Sequence, residues 1–211
     1  PQDTADFQVY AVGESNRYYE GAQFRLEYRF DDTVGDNEVI ETEFFSDVYE
    51  DTKWNFCVSL YPAAYPFATE ENALVTEGYR LRFSGIQVNA DIVVHEFSQE
   101  IELTLAQGLK FLNGNKRFYL GAKRTSFDFA NSTVVTPCNV KSGHARLWFS
   151  KIEDSELKQH AIKPLNYGVD NPLFNVMPVP FADAALGVEI PKAGTLAFDW
   201  GFDNLTSTDQ N

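Results

Sequence analysis

Residues 22–30 alternate strictly between apolar and polar side chains: Phe24, Leu26, Tyr28 and Phe30 interleave with Gln23, Arg25, Glu27 and Arg29. A period of two is the repeat of a β-strand, whose successive side chains point to opposite faces, so this run predicts one face in a core and one in water. The pattern returns at Trp54, Phe56, Val58 and Leu60, which leaves Cys57 on the opposite face with Asn55 and Ser59. It returns again at Tyr79, Leu81 and Phe83 between Arg80 and Arg82, and at Leu196, Phe198, Trp200 and Phe202. Further strands are expected over 7–12, 38–49, 86–97, 100–105, 116–122, 124–130 and 145–151.

The segments between these runs read as turns. Asn113-Gly114 supplies the two positive-φ residues of a type I′ turn and predicts a hairpin over 112–115. Asp31 to Asn37 is a polar loop between two strand runs. Short helices fit only at 70–76 and 153–161, neither with a sustained apolar stripe. Pro164, Pro172, Pro178, Pro180 and Pro191 make 163–194 a long irregular excursion, a Pro-containing loop near the C-terminus. The 18 Phe and 10 Tyr suit pleated surfaces, where flat rings pack well. The expected fold is therefore all-β, a single antiparallel β-barrel or β-sandwich. One domain is expected at 7–202, with a linker at 1–6 and a polar tail at 203–211.

Charge narrows the partners. At −14 the chain repels phosphate-rich surfaces, since binding nucleic acid needs Lys and Arg to neutralise phosphates. No nucleic-acid partner is expected, and with no run of 18 apolar residues no membrane insertion either. The two cysteines, Cys57 and Cys138, match no common zinc or redox spacing. Their pairing in an oxidising compartment and their persistence as free thiols both stay open.

Catalytic signatures are sparse. The chain holds three histidines, His95, His144 and His160, and no G-x-S-x-G elbow. His95-Glu96 lacks the i, i+4 partner of a zinc protease helix, so no metal and no cofactor are expected. Glu41/Glu43 and Glu100/Glu102 have the i, i+2 spacing that places two carboxylates on one face of a strand, as glycoside cleavage requires. Among 31 acidic residues such pairs arise by chance. The loop from Asp31 to Glu38 has Thr33 and Gly35 where a calcium loop wants acids. The sequons at Asn131 and Asn204 are also of chance frequency. The chain is expected not to be an enzyme.

One charge feature is not of this kind. Between Leu103 and Ile152 the basic residues are Lys110, Lys116, Arg117, Lys123, Arg124, Lys141, Arg146 and Lys151, and Asp128 is the one acid. That stretch stands at +7, which leaves −21 on the rest of the chain. Two readings follow. Lys116, Arg117, Lys123, Arg124, Lys141 and Arg146 form an exposed ligand site for an anionic glycan or an acidic protein, with Tyr119 or Trp148 stacking on sugar rings. Alternatively, basic strands pair with acidic ones, within the chain or across a dimer.

Taken whole, a compact, acidic, aromatic-rich β domain without catalytic motifs resembles the projecting spike domains of small non-enveloped virus capsids, the astrovirus type in particular. The resemblance covers the whole chain and carries no residue over. It implies an outward-facing domain on a virion surface or otherwise extracellular, a homodimer, binding a host-cell receptor or glycan. A bacterial adhesin or a carbohydrate-binding module is the alternative, and a glycan-active β-sandwich enzyme the third reading.

Overall fold

The computed structural model describes residues 7–13, 20–28, 38–50, 52–64, 78–113, 118, 120–121, 123–124, 134–135, 140–168 and 190–202. The architecture is all-β, as the alternating runs predict, with antiparallel sheets and two short helices. The strands are β1 (Phe7–Val12), β2 (Ala22–Tyr28), β3 (Glu38–Phe45), β4 (Lys53–Pro62), β5 (Tyr79–Asn89), β6 (Ile92–Leu103), β7 (Lys123–Arg124), β8 (Val134–Val135), β9 (His144–Trp148) and β10 (Leu196–Gly201). Helix α1 (Leu105–Asn113) follows β6, and α2 (Asp154–Ile162) follows β9.

Where the sequence suggested one domain, the chain divides into two compact units, residues 1–87 with 95–138 and residues 88–94 with 139–211. The first unit is a sandwich, not a closed barrel. Its sheets run in the orders β1-β2-β3 and β4-β5-β6. Phe24, Leu26, Tyr28, Ile40 and Phe45 from one sheet and Tyr79, Leu81, Phe83 and Leu103 from the other form a single buried cluster. Trp54, Val58, Leu60, Phe97 and Ile101 pack against it, so the alternating runs of four strands turn their apolar faces inward. Rings interlock by edge and by face: Phe24 meets Trp54 and Phe56 edge-on at 4.6 Å each, and Phe83 meets Phe97 at 5.0 Å. Such contacts add roughly 0.5–1.5 kcal/mol per pair beyond area burial.

Strands β5 and β6 turn at Ala90 and Asp91, whose φ values of 47° and 67° supply the two left-handed residues of a two-residue hairpin. Of the hairpin expected at 112–115, Gly114 and Asn115 lie outside the described residues. Leu112 and Asn113 are instead the end of α1, whose Leu105 and Phe111 lean on the sandwich core. Gly108 lets this helix approach, for a methyl group there would lie 2.1 Å from the Tyr79 ring. Lys123 and Arg124, at the junction of the strands expected over 116–122 and 124–130, form a short strand, with Lys123 opposite Val135 and Arg124 opposite Val134.

In the second unit β9 and β10 pair antiparallel, with Arg146 opposite Asp199 and Trp200 opposite Ala145. Helix α2 falls where a helix over 153–161 was expected. Glu153 and Glu156 form a capping box at its start, and it buries Leu157, His160 and Ala161. The helix expected at 70–76, the calcium-like loop apart from Glu38, Cys138, Asn131 and Asn204 lie outside the described residues. So does most of 163–194.

Candidate functional site

Of the four paired carboxylates, Glu41, Glu100 and Glu102 are bound up in ladders of side chains, while Glu43 is exposed. Glu41 pairs with Arg25, directly opposite it on β2, and the neighbouring Tyr10 hydroxyl donates to Glu27 at 2.9 Å. Glu100 accepts from Arg80 at 3.2 Å and from the Tyr61 hydroxyl, and Glu102 lies 3.9 Å from the same arginine. Burial and then the Glu100 bond push the Tyr61 hydroxyl up to about 12. Cross-strand charge pairing accounts for Glu41, Glu100 and Glu102 without a substrate.

The basic segment does not gather into one exposed patch among the described residues. Lys116 and Arg117 lie outside them, and Lys123 and Arg124 are described by backbone alone. Lys141 is exposed. Arg146 is not: its side chain is 6 % exposed and its Nε donates to Asp199 at 2.8 Å. The reading that placed Arg146 in a ligand site is therefore corrected. Its guanidinium lies 4.4 Å over the Tyr167 ring, and its Nη1 lies 3.3 Å from His160 Nδ1. Arginine only donates, so Nδ1 holds a lone pair and the imidazole is neutral with its proton on Nε2. Burial, then the Arg146 charge, lowers His160 to about 4, against a smaller pull from Asp199. Trp148, which only the ligand-site reading would stack on a sugar, packs on His160 at 5.0 Å. Gly168 (φ 81°) closes over Nε2, where a Cβ would stand 2.8 Å away. Arg146, Asp199, His160 and Tyr167 are a self-satisfied network behind the sheet.

The opposite face of that sheet is apolar and open. Side chains at alternate positions share a face, so Ala145, Leu147 and Phe149 line up with Phe198, Trp200 and Phe202. Leu147 is 50 % exposed, Phe149 84 %, Phe198 39 % and Trp200 42 %. Trp200 lies 6.0 Å from Phe198 and 4.6 Å from Phe202, which makes a continuous row of rings. Of the Leu196–Phe202 alternation, expected to face a core, Phe198 and Trp200 face solvent, whereas a register shift sets the half-buried Leu196 opposite Trp148. Gly143 O accepts from Phe202 N at 3.1 Å, so the ladder runs on to within two residues of Lys141.

A third cluster lies at one end of the first unit's sandwich. Gln87 Nε2 donates to Asp47 Oδ2 at 2.8 Å, and His95 Nε2 stands 3.9 Å from Asp47 Oδ1. Sequence reasoning set His95 aside as a lone histidine and missed Asp47 and Gln87. The available signal was that the inward rows of β5 and β6 end on polar residues, Gln87 and His95. Among the described residues no group of three His, Cys, Asp or Glu side chains is placed to hold a metal. Cys57 Sγ lies 3.3 Å from Ser59 Oγ, on the face where the alternation puts both.

Comparison with protein-family models, with curated proteins and with solved structures gives no match to this chain.

Proposed function

We propose that this chain is a non-enzymatic attachment domain that binds a glycan-bearing receptor through the aromatic face of β9 and β10. The observation that carries the reading is the row of Phe198, Trp200 and Phe202 beside Leu147 and Phe149, open to water on a small sheet. Large exposed apolar surfaces mark interaction sites, because leaving them in water is costly. Sugar rings present apolar C–H faces that lie flat on aromatic rings, and a two-stranded sheet offers such rings in a row. Exposed Lys141, just before β9, adds a cation for an acidic sugar. The remaining cations of the segment, Lys116, Arg117, Lys123 and Arg124, stay with this proposal as a longer-range attraction for an anionic glycan. Placement on a virion surface, as a projecting spike, or outside a bacterial cell belongs to the same reading.

The test is binding to cells and to a panel of neutral and sialylated or sulfated glycans by wild type, Trp200→Ala and Phe198→Ala. Both variants should lose most binding while keeping the wild-type melting temperature. Undiminished binding by both would refute the aromatic face as the site. A steep fall of binding with salt would move the site to the cations, since exposed charges are screened within about 8 Å at physiological ionic strength.

A homodimer is the second reading, favoured by the aliphatic and aromatic content of the same face at Leu147 and Phe149. A dimer by light scattering that Leu147→Asp or Phe149→Asp dissociates would support it.

A further inference from the structure

Strand β10 has β9 on one side, and among the described residues no further strand joins this sheet. Phe202 N–H donates to Gly143 O at 3.1 Å, and the register is regular from Phe198 to Gly201. The main-chain polar groups of Phe202 therefore point to β9, as do those of Trp200, while those of Asp199 and Gly201 point the other way. Both of the latter residues are exposed, and in each the open surface is main chain. Gly201 has no side chain, and the Asp199 side chain is only 27 % exposed.

An open strand edge pairs with other strands unless something blunts it, and natural edges carry Lys or Pro for that purpose. β10 carries neither: it reads Leu196-Ala197-Phe198-Asp199-Trp200-Gly201, and its one charge is taken up by Arg146 at 2.8 Å. Its own sequence shows what fits the edge. Phe198-Asp199-Trp200-Gly201-Phe202 alternates aromatic with non-aromatic residues and is symmetric in that respect about Trp200. Laid antiparallel on itself about that residue, it sets Trp200 against its own mate and Phe198 against Phe202, all on one face. Asp199 then falls opposite Gly201, so no like charges meet. A register centred on Asp199 would instead put two carboxylates opposite each other.

We propose that β10 pairs antiparallel with β10 of a second copy of this chain, about a two-fold axis at Trp200, joining the two-stranded sheets of both copies into one. Asp199 and Gly201 form the hydrogen-bonded pairs, each N–H donating to the other's carbonyl. Trp200 and the Phe198–Phe202 pairs take the closer, non-hydrogen-bonded positions, where side chains on facing strands touch and aromatic pairs stabilise. The axis stands perpendicular to the sheet, so both aromatic rows come to the same side. The second copy thus contributes half of a continuous face. Such a dimer differs from one that buries the face, because Leu147 and Phe149 stay open to water. It holds whatever the face binds.

The test is light scattering over a concentration series on wild type, Gly201→Pro and Leu147→Asp, without glycan. Proline removes the outward N–H of Gly201 and leaves intact the ladder to β9, which does not use it. Wild type should be a dimer that dissociates on dilution. Gly201→Pro should raise its dissociation constant roughly tenfold or more through the lost hydrogen bonds. Leu147→Asp should leave it unchanged. A Cβ at Gly201 stands 3.3 Å from His144 Nε2, so a second measurement uses wild type alone. Amide hydrogen exchange at Asp199 and Gly201 should slow as protein concentration rises. The proposal is overturned if wild type is monomeric throughout, if a folded Gly201→Pro dimerises like wild type, or if the two amides exchange equally fast at every concentration. Loss of the dimer in Leu147→Asp with the dimer of Gly201→Pro intact would assign the contact to the face. None of these results bears on glycan binding by Trp200→Ala, so the two readings fail separately.

Discussion

Acidification should strip stability from the second unit through His160. His160 is 6 % exposed, and it faces Arg146 and the Trp148 ring within reach of the Asp199 charge. In the unfolded chain the imidazole titrates near 6.5, whereas in the fold burial and the Arg146 charge hold it down at about 4. Between those values the unfolded chain binds more protons than the native one, so stability falls as pH falls. At about 1.4 kcal/mol per pKa unit, the full separation corresponds to roughly 3 kcal/mol, of which about 2 is gone by pH 5. That contribution is complete above pH 6.5 and fully lost below pH 4. Carboxylates titrate in the lower part of this range, so the measurement is a difference: urea unfolding of wild type and His160→Gln from pH 7.5 to 3.5, followed by tryptophan fluorescence. Glutamine keeps an acceptor for Arg146 and does not titrate. Wild type should lose about 2 kcal/mol more than the variant between pH 7 and pH 5. Parallel curves for the two proteins would refute the assignment of His160 as a buried neutral base.

Two further predictions concern packing. Gly108→Ala should destabilise by roughly 1–3 kcal/mol in urea unfolding, although alanine is favoured by about 1 kcal/mol inside a helix, because the added methyl meets the Tyr79 ring. A stabilised variant would mean that α1 does not pack there. Arg146→Ala should cost about 2–3 kcal/mol by leaving Asp199 without its cation, and pairing it with Asp199→Ala should recover part of the loss. Additive losses in the double-mutant cycle would show that the pair is not coupled.

Much of the secondary structure was legible because a strand's period is local. Residues 7–12, 22–28 and 53–62 form strands where strand runs were expected, and a short helix stands where one was expected over 153–161. Helix α1 was not legible. Its inward positions include a glycine, Gly108, whose fit depends on the Tyr79 ring brought over it by β5, and Asn113-Gly114 suggested a hairpin turn at its end. A local turn preference of this kind yields when Leu105 and Phe111 can be buried on a core the sequence does not display.

The candidate sites divide in the same way. Alternation along β10 already gives it an apolar face, since it sets which side chains share a side. The assembled fold turns this face to water, because what covers a strand is set by residues distant along the chain. It likewise decided that Arg146 is not a free cation. Clustering of charge in sequence says nothing of a partner 53 residues away, and Asp199 reaches it by strand register. Asp47, Gln87 and His95 are separated by 40 and 8 positions and have no spacing motif to announce them. They meet because two inward rows and one turn end at the same edge of the sandwich, where apolar filling runs out and buried polar atoms must find partners.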